Sequence, residues 1–216
     1  MKNTDLLIAL ATSGIAAAIP AHGANLLVNG SFEDPVGAYR YVAGGSTEIT
    51  GWTTQLSGVE VFTATDIGVG YDYPTVIADG VQAIDLPPYT YGGGGGISQT
   101  FATTPGVTYD VSFFAGTVAS FGKPGLGNIL VTVGSAVQYY PLQNFTQDWV
   151  WEQKALQFTA SGTTATLTFV SLDDPYQYVA SIDNVSVTAV PEVESCAMVG
   201  GLALLGFAGV RRFRRN

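Results

Sequence analysis

Between residues 25 and 190, apolar positions alternate with polar ones in short runs, and no stretch of useful length carries helical spacing. Tyr109-Asp110-Val111-Ser112-Phe113 puts Tyr109, Val111 and Phe113 on one face, because side chains two apart on a strand point the same way. Ala165-Thr166-Leu167-Thr168-Phe169 repeats the pattern, and Ile129, Val131 and Val133 line one face of another run. Further strands are predicted over 59–62, 81–86, 97–101, 151–158 and 181–188. Turn-forming pieces separate them, among them Thr104-Pro105-Gly106, Lys123-Pro124-Gly125 and Ala160-Ser161-Gly162. In the last run the apolar spacing slips: Ile182 and Val185 lie three apart, Val185 and Val187 two apart, which predicts a bulge near Asp183-Asn184. Roughly ten short antiparallel strands without helices point to an all-β sandwich or barrel. No period of 20–50 residues repeats, so a propeller or solenoid is not expected.

The two ends follow different rules. Residues 1–24 read as a secretory signal: Lys2, a charge-free stretch from Leu6 to Ile19, then the small residues of Ala21-His22-Gly23-Ala24 for cleavage. That stretch is short for a spanning helix. At the other end, Pro191-Glu192 precedes an uncharged run over 195–210 and then Arg211, Arg212, Arg214 and Arg215. As a helix this run reaches about 24 Å, under a ~30 Å hydrocarbon core. The arginines favour the cytoplasmic side. The three-part tail resembles the PEP-CTERM sorting signal of Gram-negative bacteria, with Pro-Glu-Val where that signal has Pro-Glu-Pro. The resemblance implies Sec-dependent export, transient inner-membrane anchoring through 195–210 and processing by an exosortase, with Pro191, Glu192, Arg211 and Arg212 as the sorting residues. A permanent C-terminal anchor is the alternative. The domain plan is thus a signal peptide over 1–24, a β-domain over 25–190 and a sorting tail over 191–216, with one hydrophobic helix expected at each end.

Composition narrows the chemistry. Apolar residues make up 47% of the 216-residue chain and charged residues only 12%, which argues against disorder. The formal net charge is -9, an unfavourable sign for nucleic-acid binding. Over 25–190 the bases are Arg40, Lys123 and Lys154, set against 14 acids. The chain's one His (His22) and one Cys (Cys196) fall in the signal and the tail. Within the β-domain this excludes disulfides, Ser-His-Asp and Cys-His triads, and zinc held by His or Cys. The glycine run Gly92–Gly96 is not followed by Lys-Ser/Thr, so it is no phosphate-binding P-loop. It reads as a flexible loop, with close approach of a ligand to the backbone as the other reading. What remains is carboxylate catalysis and oxygen-ligated metal, with Ca²⁺ the leading candidate.

Asn25-Leu26-Leu27-Val28-Asn29-Gly30-Ser31-Phe32-Glu33 opens the β-domain, and Ser181-Ile182-Asp183-Asn184-Val185-Ser186-Val187 closes it. Together with Gly51-Trp52, 79–86 and 97–101, these residues resemble galactose-binding-like jelly rolls. That group includes carbohydrate-binding modules, plant cell-wall domains of unknown function and the choice-of-anchor domains that often precede PEP-CTERM tails. The resemblance implies a jelly-roll β-sandwich whose first and last segments pair, with a structural Ca²⁺ beside them and Glu33 and Asp183 at the matching positions. The other reading of these two acids is that they satisfy turn amides.

Aromatic pairs offer flat faces to sugar rings: Tyr71 and Tyr73, Tyr89 and Tyr91, Trp149 and Trp151, Tyr176 and Tyr178. Strand aromatics serve cores more often than ligands, so the loop tyrosines Tyr71, Tyr73, Tyr89 and Tyr91 are the candidate ligand-binding residues. No acid pair has a distinctive setting; Asp173-Asp174 reads as a turn, and Asp79 and Asp85 as partners on one hairpin. The expectation is a non-enzymatic, exported, extracellular or cell-surface protein that binds carbohydrate or belongs to an exopolysaccharide matrix. The alternatives are a carboxylate-dependent glycan hydrolase and a purely structural or adhesive surface protein.

Overall fold

The computed structural model describes residues 23–64, 76–119 and 122–191. Both expected terminal helices, and with them Tyr71, Tyr73, Glu192, Arg211 and Arg212, lie outside the described residues. Among the described residues no helix is long and apolar enough to cross a membrane.

Eleven strands form two antiparallel sheets: β1 (Arg40–Val42), β2 (Thr53–Leu56), β3 (Val59–Thr63), β4 (Gln82–Asp85), β5 (Gly95–Ala102), β6 (Thr108–Thr117), β7 (Leu126–Val133), β8 (Ala136–Gln143), β9 (Val150–Thr159), β10 (Thr164–Ser171) and β11 (Ser181–Ala189). The first sheet runs β1-β3-β4-β11-β6-β9 and the second β2-β5-β10-β7-β8. The eight strands predicted from alternation are all present. Short β1 and β2, and β8 with its exposed apolar residues, carry no clean alternation and are additional.

The core lies between the sheets. From the first come Val111, Phe113, Ile182, Val185 and Val187; from the second Ile97, Ile129, Val131, Leu167 and Phe169, all buried. Phe113 packs edge-on against Phe169, ring centroids 4.9 Å apart. The slip in β11 is a bulge: its register against β6 shifts between Asp183 and Ser186, and Asn184 has φ 45°. The extra residue keeps Val185 and Val187 inward after Ile182.

The opening segment lies along β11. Leu26 N donates to Val187 O (2.9 Å), and Val185 N donates to Gly30 O (2.8 Å). Asn25 completes the join, its Nδ2 donating to Val185 O (3.0 Å) and its Oδ1 accepting from Val187 N (2.9 Å). A Cβ on Gly30 would collide with the Val185 carbonyl oxygen, which is why glycine stands there. Phe32 takes φ 60°, a conformation costing a non-glycine residue roughly 1–2 kcal/mol. Full burial of its ring, 5.1 Å from the Trp52 ring, offsets this with about 2–3 kcal/mol. Trp52 is itself tied down by Nε1 donating to Asn29 O (2.9 Å).

The sandwich has two distinct poles. The chain enters and leaves at one: Gly23 lies against Ala189, and Val190 N donates to Thr108 O at 2.9 Å. At the other pole β11 begins at Ser181, opposite Asp85 and Gly116. The nine residues of β11 separate the poles by about 27 Å.

Candidate functional site

The pole remote from the termini gathers tyrosines. The loop between β4 and β5 carries Tyr89 and Tyr91, both exposed. Tyr91 packs on Tyr41 of β1 with ring centroids 4.3 Å apart. Tyr89 meets Tyr176, from the loop before β11, edge-on at 4.9 Å. The Lys123 ammonium lies over the Tyr89 ring, 5.5 Å from its centroid, and donates to Tyr178 O (3.4 Å). Tyr41 is fixed by its hydroxyl donating to Ser57 O (2.6 Å). Tyr89, Tyr91 and Tyr176 each keep more than half of their surface exposed, at 53%, 69% and 56%. Four rings held in two packed pairs, with open faces and one cation, form the platform.

The glycine run belongs to this construction and is not the flexible loop expected from composition. Gly95 and Gly96 are the first residues of β5. A side chain on Gly95 would strike the Leu86 and Gly58 carbonyl oxygens, and one on Gly94 would come within 2.7 Å of Ser171 O. Gly92 and Gly93 have φ of 68° and 83° and turn the chain beneath Tyr176.

Carboxylates hold the platform from below. Glu60 of β3 is buried and directly opposes Asp85 of β4. Its Oε1 accepts from Thr90 N (2.9 Å) and Thr90 Oγ1 (2.6 Å), pinning the residue between Tyr89 and Tyr91. It also hydrogen-bonds Tyr39. Burial, then the Glu60 hydrogen bond and charge, push the Tyr39 hydroxyl up to about 12. Asp85 Oδ1 accepts from Ala180 N and Ser181 Oγ, both at 3.3 Å, joining β4 to the start of β11. Burial raises Asp85 to about 7; Lys123 pulls it down and Glu60 pushes it up. Burial lowers Lys123, and the charges of Asp85, Glu60 and Asp174 counter that.

Of the candidate residues, Tyr89 and Tyr91 lie at this pole, where Tyr39, Tyr41, Glu60 and Lys123, which no motif in the chain marks, stand with them. The chain suggests Asp79 as the partner of Asp85 on one hairpin, whereas Asp79 stands beside Asp183. Trp149 and Trp151 belong to a second, smaller core. Trp149 stacks on Phe62 (5.0 Å) and Trp151 (5.8 Å), and Trp151 Nε1 donates to Val76 O (2.6 Å). Asp173 and Asp174 shape a turn: Asp173 Oδ2 accepts from Asn128 N (2.6 Å) and Asp174 Oδ1 from Tyr176 N (2.9 Å).

Glu33 and Asp183 meet at the turn before β4. Asp183 is fully buried; its Oδ2 accepts from Asp79 N (2.7 Å) and its Oδ1 from Asn184 N (2.6 Å). Glu33 Oε1 accepts from Val81 N (2.8 Å) and Gln82 N (3.1 Å). Both acids therefore satisfy turn amides. Burial, with the charges of Asp79 and Glu33, raises Asp183 to about 7 against the pull of its two amides. Among the described residues no three acidic, His or Cys side chains come together as a metal-holding group, so any cation here would draw on backbone oxygens as well.

A family model described as a protein of unknown function, DUF642, matches residues 25–188. The chain belongs to the DUF642 family. The match takes in the Asn25–Val187 seam and the tyrosine platform alike. No curated protein matches the chain. Among solved structures, the DUF642 domain is similar to TmCBM61, determined in complex with β-1,4-galactotriose. That likeness has a TM-score of 0.50 at 16% identity over 77% of this chain and 99% of the other. It is also similar to the CBM22-1 xylan-binding domain from Paenibacillus barcinonensis Xyn10C (TM-score 0.42, 17% identity, 71% and 94% covered). A third is a family 35 carbohydrate binding module from Clostridium thermocellum (TM-score 0.39, 12% identity, 68% and 97% covered). At these identities the likeness to TmCBM61 establishes the β-sandwich fold.

Proposed function

We propose that this DUF642 protein is an exported, non-enzymatic carbohydrate-binding protein of the cell surface or extracellular polysaccharide matrix, with its sugar site on the tyrosine platform. The observation that carries the reading is the pair of packed tyrosine couples, Tyr41 with Tyr91 and Tyr89 with Tyr176, left open at one pole. Open rings present apolar faces to sugar C–H groups, and their hydroxyls reach sugar hydroxyls. Two features support a binding role over a hydrolytic one. Glu60 and Asp85 oppose each other, but Glu60 is engaged with Thr90 and Tyr39, and Asp85 with Ala180 and Ser181. They brace the loops and do not flank a cleft as a hydrolytic pair must. The second is the likeness in fold to TmCBM61, which was determined in complex with β-1,4-galactotriose.

Pro191 is the last described residue and sits at the pole opposite the platform. A Sec-exported chain retained or processed by an exosortase through its tail would then present the tyrosines about 27 Å away from its tether. Calcium, if bound, would be held by Glu33 and Asp183 with backbone oxygens and would supply the positive charge that the Glu33, Asp79 and Asp183 carboxylates lack. The sugar site is tested on a glycan array that includes bacterial exopolysaccharides. Saturable binding to one sugar class, lost at least tenfold in Tyr89→Ala and Tyr91→Ala proteins that melt like wild type, is the expected result. Binding untouched by either change, or a blank array from folded protein, refutes the reading.

A further inference from the structure

The second sheet is built without charge. None of β2, β5, β7, β8 or β10 contains Asp, Glu, Lys, Arg or His, whereas the first sheet carries Arg40, Glu60, Asp85, Asp110, Glu152, Lys154 and Asp183. The register shows what the solvent face presents. One row crosses all five strands as Gln55, Gly96, Val170, Leu130 and Tyr139; the next as Thr53, Ser98, Thr168, Thr132 and Val137; and Thr100 and Thr166 follow. The first row is mostly apolar, with Gln55 and Tyr139 at its edges, and the second is hydroxyl-bearing but for Val137. Thr100, Thr166, Val137 and Tyr139 are exposed, and the hydroxyls of Thr100 and Thr166 bond each other at 2.8 Å. The first sheet differs on its outer side too, where Phe62, Ala83 and Trp149 are buried in the smaller core.

We propose that this uncharged face is the dimerisation surface of the protein and that its occupant is the same face of a second copy. Electrostatics favours that partner. With 14 acids against 3 bases over 25–190, two copies repel through most approaches, and least where neither carries charge. Depletion of charge is also what distinguishes the buried centre of an interface. Size agrees. Four eight-residue strands about 27 Å long and the four-residue β2 at half that length, set about 4.8 Å apart, give a footprint on the order of 600 Å². The relief of the side chains, with exposed Leu172 continuing the outward series of β10, brings this toward the roughly 800 Å² per partner of a stable interface. Shape agrees as well, because two twisted sheets pack face to face about 10 Å apart. A sugar is the poorer occupant: Tyr139 is the one aromatic ring in these rows, while the ring pairs stand at the pole.

Chemical crosslinking of the full chain tests this. In a Cys196→Ser background, Thr168→Cys places a single thiol at the centre of the face, and a bis-maleimide reaching about 10 Å can bridge two copies. Gln153→Cys, exposed on β9 of the other sheet, is the control. The expected result is covalent dimer from Thr168→Cys at least tenfold above the control, abolished when Leu130→Lys is added. Thr166→Glu, at an exposed position, makes the same break should Leu130→Lys not fold. Equal crosslinking from both thiols, a Thr168→Cys dimer that survives charge on the face, or protection of that thiol by a neutral glycan without dimer, overturns the proposal. Failure of the glycan array leaves it standing, since the two surfaces are separate.

Discussion

Asp85→Asn removes a carboxyl beneath the platform whose titration burial has shifted. Asp85 is raised from an ordinary 3.8 to about 7, chiefly by burial. A raised carboxylate reverses the familiar acid behaviour. Between pH 4 and 7 the native chain holds a proton that the unfolded chain has released, so stability is fully present below about 4 and falls as pH rises through 7. A shift of about three units corresponds to about 4 kcal/mol at 1.36 kcal/mol per unit. Of that range, about two units lie between pH 5 and 7, or about 3 kcal/mol. Asp85 keeps part of its surface on solvent, and screening brings the expected loss to about 1–3 kcal/mol. Asparagine keeps Oδ1 as acceptor for Ala180 N and Ser181 Oγ but does not titrate. Lys123 gains a counter-charge from Asp85 only as Asp85 ionises near 7, and that pull is already contained in the raised value, so the slope and not the absolute stability is diagnostic. Urea unfolding at pH 5, 6, 7 and 8 measures the slope. Wild type minus Asp85→Asn is expected to lose about 1–3 kcal/mol from pH 5 to 8. Parallel curves within about 0.5 kcal/mol, or a wild type that gains stability over this window through Asp85, would refute the assignment, the latter meaning that Lys123 outweighs burial.

Two further measurements bear on the seam between the first and last segments. Gly30→Ala drives a methyl into the Val185 carbonyl and threatens the bonds from Val185 N to Gly30 O and from Asn25 Nδ2 to Val185 O. At about 1 kcal/mol per bond plus 1–3 for overpacking, the expected loss is about 3 kcal/mol, a melting temperature lower by about 10 °C in a calorimetric scan; a change under 2 °C would show that the seam yields freely. Saturating calcium is expected to raise the melting temperature relative to chelator and to lose that effect in Glu33→Gln; an unchanged melting temperature disposes of calcium binding at this turn.

The sandwich was legible because alternation is a local signal. Tyr109–Phe113, Ala165–Phe169 and the slipped spacing of Ile182, Val185 and Val187 each state their inward residues within a few positions, and burial follows them. β8 escaped because Val137 and Tyr139 are apolar on the solvent side, and β1 and β2 because three or four residues hold no pattern. The site was legible only in its loop. Tyr89 and Tyr91 stand beside glycines that are plain in the chain, but what makes them a platform is register. Glu60 reaches Thr90 because β3 opposes β4, and Tyr41 reaches Tyr91 because β1 pairs with β3. Lys123 joins them from 38 residues past Asp85, through the fold alone. The same reasoning explains the uncharged sheet. Each of its strands looks like an ordinary neutral strand, and only their shared membership of one sheet turns scattered Thr, Val and Leu residues into a continuous face. Charge was sorted by sheet and aromatics by pole, and neither sorting has a period along the chain; both exist only once β10 lies between β5 and β7 and β11 between β4 and β6.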